Sequence, residues 1–157
     1  MHPKNPEAAS PKSAPHQEQY PEGQWTTGLY DCCDDPSNCL TTCFCPCITF
    51  GRIAEIIDRG DRSRGLSCLV YYAMNSIHCA WLYGGLYRTK LRQVFSLPET
   101  PCGDNLVHCC CCLCSLSQEY RELKNRGVDP SIGWQANVEK WKRGGLKPPI
   151  SPPGMNR

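Results

Sequence analysis

The first 20 residues lack the apolar core of a cleaved export signal; they are polar and rich in proline. Without export to an oxidising compartment, a disulfide framework is not expected, although the chain carries 14 cysteines in 157 residues. Thiols on a reducing cytosolic face bind metal, carry lipid or stay free. Strong charge of either sign is also missing: the formal balance is +2. No basic patch is interleaved with aromatics, so no nucleic-acid partner is expected. HExxH, P-loop, GxSxG and GxGxxG patterns are absent, and the reading is not an enzyme. The paired CxxC spacing of a structural zinc site is absent too. The mean hydropathy of −0.47 averages polar tails with apolar middle segments, and so excludes no membrane role.

What is present is sulfur in two dense runs. Residues 39–51 hold Cys39, Cys43, Cys45 and Cys47 among apolar and small residues. Before Arg52 this run is too short to span the ~30 Å of hydrocarbon as one helix. Pro46 also removes a helical hydrogen bond, which predicts a broken or re-entrant element. Ile53, Ile56 and Ile57 recur at helical spacing and predict an amphipathic helix that ends with Gly60 at its C′ position. Upstream, residues 34–38 read as a turn, with Pro36 fixing φ.

Residues 66–87 contain no Lys, Arg, Asp or Glu. As one helix they reach ~33 Å, enough to cross a bilayer. Tyr71 and Tyr72 near one end, and Trp81, Tyr83 and Tyr87 near the other, resemble interfacial belts. Arg62 and Arg64 on one flank nearly balance Arg88, Lys90 and Arg92 on the other, so charge sets no orientation. Ser67, Tyr71, Asn75 and His78 share one stripe of that helix; such a stripe serves as a helix contact, an oligomer interface or a conduit.

The second run, residues 106–117, carries Cys109, Cys110, Cys111, Cys112 and Cys114 and is short of a full span. Residues 118–127 read as a surface helix, with Ser115 and Gln118 as a capping box, Glu122 and Arg126 as an i,i+4 pair and Gly127 at C′. Trp134, Val138 and Trp141 share a face beside Lys140, Lys142 and Arg143, suited to an anionic leaflet. The fold class expected is mainly α: a small cysteine-rich membrane protein with one bilayer-length helix (66–87), a short broken cysteine-rich segment and amphipathic helices. Its organisation is a disordered Pro-rich tail (1–24), a cysteine-rich membrane domain (25–134) and a basic, partly disordered C-terminal tail (135–157).

Thiolates select soft ions such as Zn²⁺ and Cu⁺, and Cd²⁺ follows the same logic. Cys43, Cys45 and Cys47 share a face if their run is extended, and Cys110 and Cys114 share one if theirs is helical. The candidate metal contacts are therefore Cys43, Cys45, Cys47, Cys109, Cys110, Cys112 and Cys114, with Glu55, Asn75 and His78 as a candidate ion path. Acylation of juxtamembrane cysteines and simple packing of free thiols stand beside that reading; packing is favoured for Cys68 and Cys79.

Three motifs carry a resemblance: Trp25-Thr-Thr-Gly-Leu-Tyr-Asp-Cys32, Cys43-Phe-Cys-Pro-Cys through Asp58, and Gln118-Glu-Tyr-Arg-Glu-Leu-Lys-Asn-Arg-Gly127 running on to Trp134. With them the chain resembles the placenta-specific-eight cysteine-rich family, and within it the plant cadmium resistance proteins and cell number regulators. The resemblance implies a plasma-membrane homo-oligomer, in contact with lipids and divalent ions, that transports or exports cadmium and zinc and needs no prosthetic group. In some members it implies control of cell number, and the alternative is a membrane or lipid-anchored scaffold that regulates growth without transport. It points to Cys43, Cys45, Cys47 and Glu55. Members often carry cysteine where this chain has Ser117, which leaves Cys112 and Cys114 as the ligands there.

Overall fold

Pro46 divides the first cysteine-rich run as its chemistry requires. Helix α1 (Pro36–Phe44) stops one residue before Cys45, whose φ of −139° and ψ of 72° are not helical, and α2 (Pro46–Ile57) starts with proline at N1. The two helices meet at a bend of 113°. The computed structural model describes residues 20–150, so most of the expected N-terminal tail and the last seven residues of the expected C-terminal tail lie outside the described residues. Helices α3 (Arg64–Ser76), α4 (Ala80–Phe95), α5 (Asp104–Asn125) and α6 (Trp134–Gly144) follow, and no strand occurs among the described residues.

Residues 34–38, expected as a turn, run from the end of a 3-10 turn (Cys32–Asp34) through the N-cap Asp35 into the first residues of α1. The Asp35 carboxylate accepts the Asn38 N–H at 3.0 Å as its N-cap, and Pro36 occupies the first helical position. Ser63 caps α3 in the same way by accepting the Leu66 N–H.

Helix α2 is the centre of the molecule. Phe50, Ile53, Ala54, Ile56 and Ile57 are all buried. The Phe50 ring stacks on Tyr71 of α3 at 4.5 Å and meets Tyr87 of α4 edge-on at 5.1 Å. Gly51 lets α3 approach closely: a Cβ there would lie 2.7 Å from the Arg64 carbonyl oxygen.

The single helix expected over residues 66–87 is not formed. α3 ends at Ser76 and α4 begins at Ala80, and no single helix among the described residues is long and apolar enough to cross a membrane. The bent pair α1–α2 meets that test on length and composition. The break is a Schellman-type ending: His78 sits at φ +58°, and the Cys79 N–H donates to the Met74 carbonyl at 2.9 Å. α2 ends likewise with Arg59 at φ +55° and the Gly60 N–H on the Glu55 carbonyl. Gly60 therefore lies one position beyond the C′ place expected for it.

α5 also differs from the expectation of a short helix from residue 118. It is continuous from Asp104 in its hydrogen bonding, but kinked at Cys111 (φ −140°, ψ 52°). Ser115 lies inside it and donates to Glu119 at 2.8 Å, so the capping box does not form. The Glu122–Arg126 pair does form, at 2.6 Å, and Gly127 takes the left-handed position after the helix. The Trp134–Trp141 face of α6 turns inward rather than outward. Both rings are buried edge to face at 5.7 Å, and the Trp141 indole donates to the Gly127 carbonyl.

Candidate functional site

Three segments carry no Lys, Arg, Asp or Glu: residues 36–51, 65–87 and 105–117. They supply α1 with the start of α2, nearly all of α3, the first half of α4 and most of the first half of α5. These helices pack on one another. Their outward side chains are apolar: Leu40 and Phe44 on α1, Leu66, Leu69 and Tyr72 on α3, Leu82 and Leu86 on α4, and Leu106 and Leu113 on α5. Phe44 is 81% exposed and Leu69 63%. Exposed apolar side chains this numerous, with no charge among them, mark a surface made for contact with something other than water.

The cysteines sit within and beneath this surface, and all are free thiols. Cys43, Cys45, Cys109 and Cys110 are exposed; Cys47, Cys112 and Cys114 are half-buried. The CxCPC run is not extended, so its three thiols do not share a face. Cys43 lies on α1 against Cys39, Cys45 is the exposed hinge residue, and Cys47 on α2 turns to Cys68 of α3. The kink at Cys111 likewise separates Cys110, which is exposed, from Cys114, which lies against Cys32. Among the described residues no three His, Cys, Asp or Glu side chains converge to hold one metal ion. Sulfur meets sulfur two at a time: Cys39 with Cys43 and with Cys32, Cys32 with Cys114, and Cys47 with Cys68.

Sequence reasoning left three of these thiols out of the candidate set. Cys39 carried a readable signal, lying four residues before Cys43 on one helix face. Cys32 and Cys68 carried none, because their partners come from distant parts of the chain.

The candidate path residues divide. Glu55 is tied down: one oxygen accepts from the Arg64 guanidinium at 2.9 Å, and the other from the Trp134 N–H at 3.1 Å. Arg64 also donates to the carbonyls of Pro130 and Ser131, so Glu55 anchors the loop before α6. Asn75 and His78 are exposed at the α3–α4 junction, whereas Ser67 and Tyr71 of the same expected stripe are buried.

The opposite part of the molecule is held by charge. Arg88 is fully buried and reaches Ser115, Gln118, Glu119 and the Thr100 carbonyl, with Asp104 at 3.4 Å. Its guanidinium also lies 4.4 Å from the centre of the Trp25 ring. Glu119 accepts from Ser115 and pairs with His108 Nε2 at 2.7 Å. The His108 ring lies directly on Gly84 of α4, where a Cβ would come within 2.4 Å of Nδ1. Arg92 grips Asp104 through Nε and Nη2, and that hydrogen bond holds its pKa above the ordinary guanidinium value.

Two of the recognised motifs form one structure here. The Thr26 N–H and hydroxyl both donate to Glu122, Gln118 donates to the Thr27 carbonyl, and Arg121 donates to the Gly28 carbonyl. The segment before α1 is thus strapped along the second half of α5.

Comparison with known proteins agrees with these motifs. Residues 25–122 match the model of the PLAC8 family. The chain is 52% identical to plant cadmium resistance protein 9 of Arabidopsis thaliana over 149 residues, covering 94% of this chain and 99% of that one. It is 50% identical to cell number regulator 1 of Zea mays over 144 residues, 85% of this chain and 74% of that one. No solved structure matches it. A family model that covers more than half the chain and relatives at about half identity along most of its length agree: the chain belongs to the PLAC8 family.

Proposed function

We propose that this chain is a membrane-seated protein of the cell surface that binds and moves divalent thiophilic ions, cadmium and zinc, and so confers resistance to them. The observation that carries the reading is the charge-free exposed surface of α1, α3 and the first halves of α4 and α5, with free thiols along it. In lipid those Leu, Phe and Tyr side chains gain transfer free energy of ~25 cal/mol per Å² removed from water. Relatives named for cadmium resistance support the metal half of the proposal.

An ion entering such a site exchanges water for thiolate at Cys43, Cys45, Cys47 or the 109–114 run. Paired rather than fourfold sulfur holds it loosely enough to leave again, as passage demands. Exposed Asn75 and His78 extend the polar route, and Glu55 joins it only if its bond to Arg64 opens. In this reading the working unit is a homo-oligomer, with the exposed apolar faces of neighbouring copies packed around a shared route. The proposal involves no catalysed covalent step and no prosthetic group.

A second reading is favoured by one observation. Cys43 and Cys45 flank exposed Phe44, and Cys109 and Cys110 follow exposed Leu106, which suits acyl chains joined to a growth-regulating scaffold. Relatives named cell number regulators fit that role. Cells expressing the wild-type chain are expected to hold less Cd²⁺ than empty-vector cells, and Cys45→Ser cells are expected to return to the empty-vector level with expression intact. Equal Cd²⁺ and Zn²⁺ contents in all three remove the metal reading. Thioester labelling of the cysteines together with no ion flux in reconstituted vesicles moves the assignment to the scaffold.

A further inference from the structure

The three charge-free segments share a plan. Each is broken near its middle: residues 36–51 at Cys45, residues 65–87 at residues 77–79, and residues 105–117 at Cys111. Each break is exposed, with Phe44, Ile77 and Cys110 beside it. The ends of the segments are tied together on the charged side. Arg64 precedes the second segment and pairs with Glu55 at 2.9 Å; Lys90, just past its close, pairs with Asp58 at 2.9 Å. Glu55 and Asp58 lie one turn apart at the end of α2. A straight helix would hold residues 64 and 90 ~39 Å apart. Around the third segment, Arg88 touches Asp104 before it and Glu119 after it, both at 3.4 Å. Those residues would stand ~22 Å apart on a straight helix. Instead α5 runs along α4 from Arg92, beside Asp104, to Gly84, beside His108, and by Ser115 and Gln118 it is back at Arg88. In the first segment a bend of 113° brings the Thr42 and Thr49 hydroxyls together at 2.9 Å. Asp35, just before it, pairs with Lys124 in the charged half of α5, and its other end runs on to Glu55.

A segment that leaves the charged side and returns to it does not cross. We propose that the protein enters one leaflet of the bilayer only, as three re-entrant hairpins whose exposed side chains are surrounded by that leaflet's acyl chains. The inference rests on the membrane seat proposed above, and it adds the depth and the side of entry. The lengths agree: α1 is ~14 Å long and the charge-free part of α3 ~18 Å, against ~15 Å for half of the hydrocarbon core. Backbone at such depth must be satisfied within the chain. At the first tip the Cys45 N–H donates to the Thr41 carbonyl at 2.8 Å; at the second the His78 and Cys79 N–H groups donate to the Asn75 and Met74 carbonyls at 3.1 and 2.9 Å. Asn75 and His78 at that second tip belong to the proposed ion route, which then meets the bilayer near its middle. The charged side keeps the segment before α1, strapped to Glu122, and α6, held by Glu55 and the Gly127 carbonyl.

The test uses the full chain in sealed membrane vesicles from expressing cells, right-side-out and inside-out. Hydroxylamine frees any acylated thiol beforehand, and a chelator removes metal. A membrane-impermeant maleimide is then added outside, and each cysteine is mapped by mass spectrometry. Cys33, exposed on the charged side, is expected to react in one vesicle type only. Cys45 and Cys110, at two of the tips, are expected to react more than about tenfold more slowly than Cys33 in both types, because the thiolate is the reacting form and a thiol in apolar surroundings stays protonated. Reaction of Cys45 or Cys110 in the vesicle type where Cys33 is silent reveals a crossing; it overturns the single-leaflet seat and leaves the membrane reading standing. Reaction of both alongside Cys33 and at its rate places the face in water, and overturns the membrane reading as well. Equal labelling of Cys33 in the two vesicle types also overturns the proposal, since the charged elements would then have no fixed side. The footprint needs no variant, so a misfolding substitution cannot obscure it.

Discussion

The two halves of α5 are built on opposite rules. Before the kink at Cys111 the helix turns Leu106, Cys109 and Cys110 outward, and no charged residue follows Asp104. After the kink it buries Ser115 through Leu123 without a gap, including Glu119, Arg121 and Glu122. In water both choices cost free energy, because apolar area stays wet and charges are desolvated. The second half offsets its cost with partners: Arg88, His108, Arg126 and the 26–28 strap satisfy nearly every buried charge. The first half has no such compensation within the chain. The difference assigns the hold on the fold to the second half and leaves the first half with an exposed apolar face, which the membrane proposal would seat in lipid.

Substitution at the two halves should therefore produce effects of different kinds. Arg88→Met removes the only cation facing Glu119 from α4 and leaves that carboxylate buried beside His108 and Ser115. The expected loss is ~3–5 kcal/mol of unfolding free energy, measured by denaturant titration in detergent. A loss below ~1 kcal/mol would mean that the network is not what holds α4 to α5. Leu106→Lys tests the other half. The folded chain should keep its helical circular dichroism, but its release from membranes by carbonate should rise, because a lysine at lipid depth costs up to ~3 kcal/mol. If Leu106→Lys fractionates like the wild type, the apolar face does not meet lipid at that point.

The sequence carried the break at Pro46 and the ending at Gly127, because proline and glycine announce themselves. It concealed the break at 77–79. Five helix ends among the described residues adopt left-handed residues, and Arg59, His78 and Ser96 fill three of them where glycine would have been readable. The charge-free run of residues 66–87 therefore looked continuous. One packing signal was present but unread: Gly84 and Gly85 sit near the end of the run, and both allow α5 to pack against α4, over His108 and Asn105. The buried pairing of residues 26–28 with α5 was equally hidden, since each motif was legible but their contact spans more than 90 residues. Of the exposed thiols, Cys43, Cys45, Cys109 and Cys110 were among the candidates and Cys33 was not, and how the thiols meet depended on helix breaks that the pattern did not disclose. The sign of one substitution separates the continuous helix from the divided one. His78→Gly should raise stability by ~0.5–1 kcal/mol at a left-handed position, whereas glycine in a helix interior costs about 1 kcal/mol. Thermal unfolding of the two proteins under one buffer decides between them.

The smallest effect expected lies where the two rules meet, at the ion pair of Asp35 with Lys124. Asp35 heads the charge-free α1, Lys124 ends the charged half of α5, and they touch at 2.9 Å. Partial burial pushes the Asp35 carboxyl up, but the Asn38 amide and the Lys124 ammonium outweigh it and hold its pKa below the ordinary value. Lys124 is raised, chiefly by its hydrogen bond to Asp35. A carboxyl depressed in the folded state gives stability that is present above its unfolded pKa and lost as pH falls through its folded one. A raised lysine gives stability that is present below its unfolded pKa and lost as pH climbs through its folded one. The pair therefore contributes across neutral pH and fades at both extremes. Lys124 is half-exposed, so screening limits the contribution to under ~1 kcal/mol. Asp35→Asn keeps a cap for α1 and removes only the charge, so its deficit should be visible at pH 7, shrink below about pH 4 and diminish in high salt. A deficit that stays constant from pH 3 to 7 would assign Asp35 to capping alone and leave α1 unconnected, electrostatically, to the half of α5 that holds the fold.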